Sequence, residues 1–312
     1  MTDFDLVVLG DVNPDVVVQG DEVVPAFGQA ERIVDRIHLT IGGSGAILAC
    51  GACRLGLRVA LVGVVGDDLF GRFMREQLAA AGVDTSGLAI DPQRPTGATV
   101  VLSQPGDRAM LTAMGTISTA EPGSLGDGPL HNTRHIHVGS YFLQHALVPL
   151  LPDLFGQARD RGVSTSIDPN WDPSGNWDGG LHALLGLTDV FLPNEMEAAR
   201  LAGTSDLQQA LETLGRLSST VVIKMGADGA IATAAGVKIK AGALPVSVID
   251  TTGAGDSFDA GFLAGFLAGE PLERSVALGN ACGAISTRAP GGTDAQPTMP
   301  EALAAIEAGA VV

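Results

Sequence analysis

The stretch Val248–Gly269, VIDTTGAGDSFDAGFLAGFLAG, sets a Gly-Ala-Gly turn directly before an acid and an apolar run. The glycines at 253 and 255 permit a sharp backbone bend. Phe258, Phe262, Leu263, Phe266 and Leu267 then recur at roughly helical spacing. The spacing predicts a helix opened by the glycines, with Asp256 in its first turn. There the backbone N–H groups lack intrahelical acceptors and attract anions. An acid beside an anion site suits phosphoryl chemistry with a base at hand. The same Asp also suits ordinary helix capping, and this stretch alone leaves both readings open.

The rest of the chain narrows the classes. Its 312 residues carry a formal charge of −17, which argues against a general nucleic-acid binder or a partner of anionic membranes. Lysine occurs only at 224, 238 and 240, so an anionic nucleotide would be held by helix ends, a divalent cation and few side-chain charges. No run of about 18 apolar residues spans a membrane. The start, MTDFDLVVLGDV, lacks the basic region of an export signal, which makes the cytoplasm the expected compartment. Cys50 and Cys53 form a C-x-x-C pair without a second pair, inside the small-residue stretch AILACGACRLG; with Cys282 they read as packing residues. His135 and His137 share one face of a strand, with no neighbouring carboxylate or Cys in sequence to complete a metal site.

Short apolar runs (DLVVLGDV, RVALVGVVG, HIHVGS, VSTSIDPN, DVFLPN, TVVIKMG) alternate with helical stretches. The pattern predicts an α/β fold, a mostly parallel sheet with helices on both faces. Two regions break it, about 14–40 and 88–112, where β-like stretches follow one another without helices. The second includes a hairpin around Pro105-Gly106-Asp107. Both are expected to leave the main sheet as a small β lid over the strand ends. No linker or repeat divides the chain, so 1–312 is read as one domain carrying that lid. There is no P-loop and no G-x-S-x-G elbow, and Leu48 stands where the third glycine of a dinucleotide fingerprint belongs.

In motif order and over almost its whole length, the chain resembles the ribokinase family of carbohydrate kinases, the PfkB superfamily. The motifs are GDVNPDVV, GGSGAILACGACRLG…VGVVGDDLFG, FLPNEMEA, IKMGADGA and DTTGAGDSFDAGF. The resemblance implies a three-layer ribokinase-like fold and an ATP-dependent kinase acting on a hydroxymethyl group of a sugar or sugar-like substrate. It implies Asp256 as general base, with Gly253, Ala254 and Gly255 as an anion hole. Asn13, Asp15, Gly42 and Gly43 would face the substrate. Lys224, Gly226 and Gly229 would flank the nucleotide phosphates, and Asn280 would contact the adenine. Asn194 and Glu197 would act on Mg²⁺ through water, although Asn194 also suits a plain N-cap. Asp250 and Thr252, with Arg288–Thr298, would hold K⁺ or merely shape the turn. Relatives also suggest a homodimer through the lid.

The departures lie on the substrate side. Ile47 and Ile117 stand where relatives carry Asn, and Ser44 where ribokinases carry Lys. With Met114 and Phe142, Ile47 would give a less polar pocket, which keeps a nucleoside kinase open as the alternative. A non-catalytic sugar sensor is the third reading. The intact Gly-Ala-Gly-Asp speaks against it, because a binder has no need of a base.

Overall fold

The structure, a computed structural model, describes residues 2–104, 107–120 and 128–309. Its strands are β1 (Leu6–Leu9), β2 (Asn13–Gln19), β3 (Arg36–Gly42), β4 (Val59–Gly66), β5 (Leu88–Asp91), β6 (Ala98–Gln104), β7 (Asp107–Ala113), β8 (His135–Val138), β9 (Ser164–Ile167), β10 (Val190–Phe191), β11 (Thr220–Lys224), β12 (Ala230–Ala234) and β13 (Val237–Ala241). Its helices are α1 (Ser44–Arg54), α2 (Leu69–Ala80), α3 (Gly128–His131), α4 (Leu151–Asp160), α5 (Leu181–Leu185), α6 (Glu195–Ala202), α7 (Leu207–Leu214), α8 (Ala254–Ala268), α9 (Leu272–Ser286) and α10 (Met299–Gly309).

The apolar runs become the centre of a nine-stranded sheet in the order β13-β12-β11-β10-β9-β8-β1-β4-β5. From β11 to β5 every pairing is parallel, and β12 and β13 add an antiparallel edge. Alternation along β1 divides the interior. Leu6 and Val8 face one core with Leu48, Phe262 and Leu278, while Val7 and Leu9 face the other with Phe155, Leu184 and Leu211. Strands buried on both faces read as unbroken apolar runs, which is why LVVL and VALVGVVG carry no polar alternation. Among the described residues no helix is long and apolar enough to cross a membrane.

A second sheet of four strands, β3-β2-β6-β7, stands apart. Its outer strands expose Ile37, Leu39, Met110 and Leu111. One boundary differs from expectation. Leu88–Asp91 pair with β4 as the edge of the large sheet, so the second arm of the small sheet begins at Ala98. The run LAID is too short and too isolated to reveal its partner from sequence. β6 and β7 pair as the expected hairpin, but Pro105 and Gly106 at its turn lie outside the described residues.

His135, His137, Cys50 and Cys282 are interior. His135 bonds Ser164 and Ser166 on its two ring nitrogens, and His137 bonds Ser166. Burial, above all, lowers the two rings to about 3 and about 4, so both stay neutral at physiological pH. Cys50 and Cys282 are buried free thiols pushed up to about 12, also by burial, and Cys53 is half-buried.

Candidate active site

The loops at the carboxyl ends of β1, β9 and β11, the start of the small sheet, and the first turns of α1, α6 and α8 converge. This is the end of a parallel sheet where ligands of α/β folds bind. At its centre Gly253 caps α8 in the left-handed region, φ 70°. A Cβ there would meet Gly292 Cα at 2.8 Å and Ile47 Cγ2 at 2.9 Å, so only glycine fits. Thr251 O accepts the Ala254 N–H at 3.3 Å and Gly253 O accepts the Ser257 N–H at 2.9 Å. The N–H groups of the first turn otherwise precede any intrahelical acceptor. Ala254 is thus already held by the turn, and Gly255 lies next along it.

Asp256 follows, half-buried in a ring of other acids. Loss of solvent, then the Asp168 and Asp11 charges, push its carboxyl up to about 7, against the pull of Lys224 and a hydrogen bond from Ser44. Asp15, at 6% exposure, is likewise raised to about 7 by burial and by Asp11, Asp256 and Asp250, with Arg108 opposing. These mutual effects place the expected substrate residue Asp15 and the expected base in one field.

The glycine pair has a local reason. A Cβ on Gly42 would lie 2.0 Å from Asp15 Oδ1, and one on Gly43 2.9 Å from Asn13 Oδ1. The glycines therefore make room for the two side chains expected to meet the sugar. Asn13 Nδ2 reaches Pro14 O, Asp15 Oδ1 and Thr99 Oγ1 only at 3.5 Å each, the long limit for such bonds, so its donor capacity is hardly used.

On the nucleotide side the structure redistributes several expected contacts. Lys224 does not reach outward. Its Nζ donates to Asp168 Oδ2 at 2.8 Å and to both oxygens of Asp259 at 3.0 Å. Asn194 and Glu197 form a reciprocal capping box at the start of α6: Asn194 Oδ1 accepts the Glu197 N–H at 2.9 Å, and Glu197 Oε2 accepts the Asn194 N–H at 2.8 Å. Burial and the Asp168 charge raise the Glu197 carboxyl to about 8. A Cβ at Gly229 would clash with Ala241 O at 2.0 Å, whereas Gly226 has open space around it. Asn280 Nδ2 donates to Ala241 O and Gly242 O, fixing the end of β13.

Asp250 is saturated within its own loops. It accepts from Thr252 N at 2.9 Å, Thr252 Oγ1 at 2.7 Å and Gly291 N at 2.9 Å, and so joins the anion turn to the C-terminal segment. These N–H donors outweigh burial and hold its carboxyl below the usual range. Arg108 of β7 donates to Thr252 Oγ1 at 3.1 Å, a bond from the small sheet to the turn. Of the three residues expected to form an apolar wall, Ile47 is buried beneath Gly253 and Gly292. Phe142 is buried among Tyr141 and Trp177. Met114 is half-buried at the end of the small sheet.

Four further residues belong to this site and were not singled out in the sequence: Asp11, Asp168, Asp259 and Arg108. Asp11 accepts the N–H groups of Ser44 and Gly45, holding the start of α1. Its signal is the acid of GDVN directly after a buried strand, and Asp168 follows β9 in the same way. Asp259 is signalled by its place in an otherwise apolar helix face.

An open α/β strand end, a glycine-turned helix N-terminus and an acid in its first turn together make a place where an anion could bind beside a carboxylate. The chain matches the model of the pfkB family carbohydrate kinases over residues 3–299 and belongs to that family. It is 33% identical to the ATP-dependent ribose-1-phosphate kinase of Halopiger xanaduensis, covering 89% of this chain and 90% of the relative. It is 32% identical to a fructokinase of Klebsiella pneumoniae, covering 92% and 97%. Among solved structures, Arabidopsis thaliana ribokinase complexed with ribose and ATP superposes with a TM-score of 0.84, at 24% identity and covering 98% and 99%. The three-layer ribokinase fold follows from that likeness, and the family makes the protein a carbohydrate kinase.

Proposed function

We propose that the protein transfers the γ-phosphoryl group of ATP to a hydroxymethyl group of a sugar, with Asp256 accepting the hydroxyl proton. The observation that carries this reading is Asp256 itself, an acid in the first turn of α8 whose raised carboxyl suits a base working near neutral pH. The N–H groups of Gly253 and Gly255, with that of Ala254 shared with Thr251 O, would face the charge that builds on the transferring phosphoryl. Asn13 and Asp15 would orient the sugar hydroxyls. With Lys224 engaged internally, the carboxyl groups around Asp15 and Asp256 oppose an anionic acceptor, which favours an uncharged sugar. Ile47 packs under Gly253 and Gly292 and Phe142 against Tyr141 and Trp177, which weakens the case for a nucleobase wall and leaves Met114 the more open of the three. A screen of ATP consumption against sugars, sugar acids, sugar phosphates and nucleosides tests the assignment; turnover confined to nucleosides would reject it.

Asp15→Ala is expected to raise KM for the sugar about 10–100-fold, the worth of a hydrogen bond to a charged group, with KM for ATP nearly unchanged. Equal effects on both substrates would point to general damage instead. Because the Asp15 carboxyl is raised by its neighbours, its removal does not unpair a stabilising charge, and the variant should fold.

Mg²⁺ would neutralise phosphate charge when bound. Carboxylate oxygens suit such a hard cation; both oxygens of the buried Glu197 are held by Asn194, so Glu197 would act on the ion only through water and not as a direct ligand. Glu197→Gln keeps the volume of the capping box but removes a carboxyl that could ionise toward the cation. The Mg²⁺ concentration for half-maximal rate is expected to rise about tenfold, the usual cost of an outer contact. An unchanged Mg²⁺ titration would leave Glu197 as a helix cap only.

A further inference from the structure

We propose that Lys224 is a positioning residue for phosphoryl transfer: gripped by Asp168 and Asp259, its ammonium holds the first turn of α8 from beneath and keeps the neighbouring Asp256 ready to accept a proton. The proposal rests on reading Asp256 as the base. Its geometry is compact. Lys224 Nζ lies 2.8 Å from Asp168 Oδ2 and 3.0 Å from each oxygen of Asp259. Asp259 is fully buried and one helical turn beyond Asp256, on the same face of α8. A Cβ on Gly255 would stand 3.6 Å from the ammonium, so the charge sits directly under the residue that precedes Asp256.

The backbone of Lys224 is fixed as well. It ends β11, and its N–H bonds Pro193 O at 3.0 Å, beside the Asn194–Glu197 cap. Strand, cap and catalytic helix therefore meet at one side chain.

Helix α8 does not need an ion pair for attachment. Phe258, Phe262 and Leu263 already bury its core face. Buried ion clusters contribute little to stability compared with apolar packing of the same volume, because desolvation offsets their attraction. A charge retained here is better explained by what it does to its neighbours. The groups acting on Asp256 come from every side: Asp11 after β1, Asp15 of β2, Ser44 of α1, Asp168 after β9 and Glu197 of α6. Asp259 adds another carboxyl from its own helix. Asp168 and Asp11 favour the protonated acid, and Lys224 opposes them. The other nearby cation, Arg108, acts instead on Asp15 and Asp250.

The test is the pH dependence of kcat in wild type, Asp259→Asn, Lys224→Met and the double variant, with unfolding midpoints and KM for ATP measured alongside. Lys224→Met alone strands two buried carboxylates and risks unfolding, so the decisive comparison is between Asp259→Asn and the double variant. Adding Lys224→Met to Asp259→Asn should move the acidic limb of kcat up by about one pH unit, as expected for loss of an adjacent opposite charge. Both variants should keep wild-type KM for ATP. A limb in the same place in both folded proteins overturns the proposal. So does a large rise in KM for ATP without a shift, which would make Lys224 a direct phosphate contact. Asp256→Asn separates the two levels: near-normal kcat there rejects the base itself, whereas an inactive Asp256→Asn with an unmoved limb rejects only the role of Lys224.

Discussion

Replacing Asp256 with Asn is expected to lower kcat by about 10²–10⁴-fold, the contribution of a well-placed general base. Sugar and ATP should still bind, because Asn keeps the volume and the hydrogen-bonding reach of the side chain. The variant also loses a carboxyl that its surroundings push up to about 7. As the proposed base this group would have to be deprotonated to act, so kcat should climb through about pH 7. In Asp256→Asn the residual rate should lack that climb. The stability effect has the opposite sign to that of a paired carboxylate. A folded-state value above the unfolded one favours the fold at low pH and opposes it as pH rises. Asp256→Asn should therefore unfold no more readily than wild type above pH 7. Near-normal kcat would leave Asp256 as a helix cap.

Gly253→Ala is the second large effect. The residue sits at φ 70°, where a side chain costs about 1–2 kcal/mol before any contact is considered. The added Cβ would also press on Gly292 Cα at 2.8 Å, backbone that cannot swing aside. The turn must move, and with it the N–H groups proposed to face the phosphoryl. Loss of one such donor commonly lowers kcat about 10²–10³-fold. The acidic limb of kcat should stay in place, because Asp256 and Lys224 are untouched. A folded Gly253→Ala with ordinary kcat would show that the turn does not contribute to the reaction.

What was legible in the sequence was local or periodic. The glycine turn, the helix after it and the place of Asp256 follow from one continuous stretch. The two-faced sheet follows from apolar runs alternating with helices. Less legible was whatever depends on residues far apart in the chain. LAID carries no sign that it pairs with β4 rather than joining the small sheet. IKMGADGA places Lys224 at a strand end but not between Asp168 and Asp259, which approach from 56 and 35 residues away. Ile47 reads as a pocket wall because it stands where relatives carry a substrate-facing Asn, yet its side chain packs beneath Gly253. Asn280 reads as an adenine contact from the resemblance, and the carbonyls of Ala241 and Gly242 instead give its Nδ2 the partners a buried amide needs.

The crowding of carboxyl groups has a calorimetric consequence. Asp15 and Asp256 are raised to about 7 and Glu197 to about 8, so near neutrality the unliganded site stores protons. A divalent cation bound with the nucleotide would favour the ionised carboxylates and expel part of that store. Ligand binding would then release acid. Its measured heat should change with the ionisation enthalpy of the buffer, and its apparent affinity should strengthen as the solution is made more alkaline.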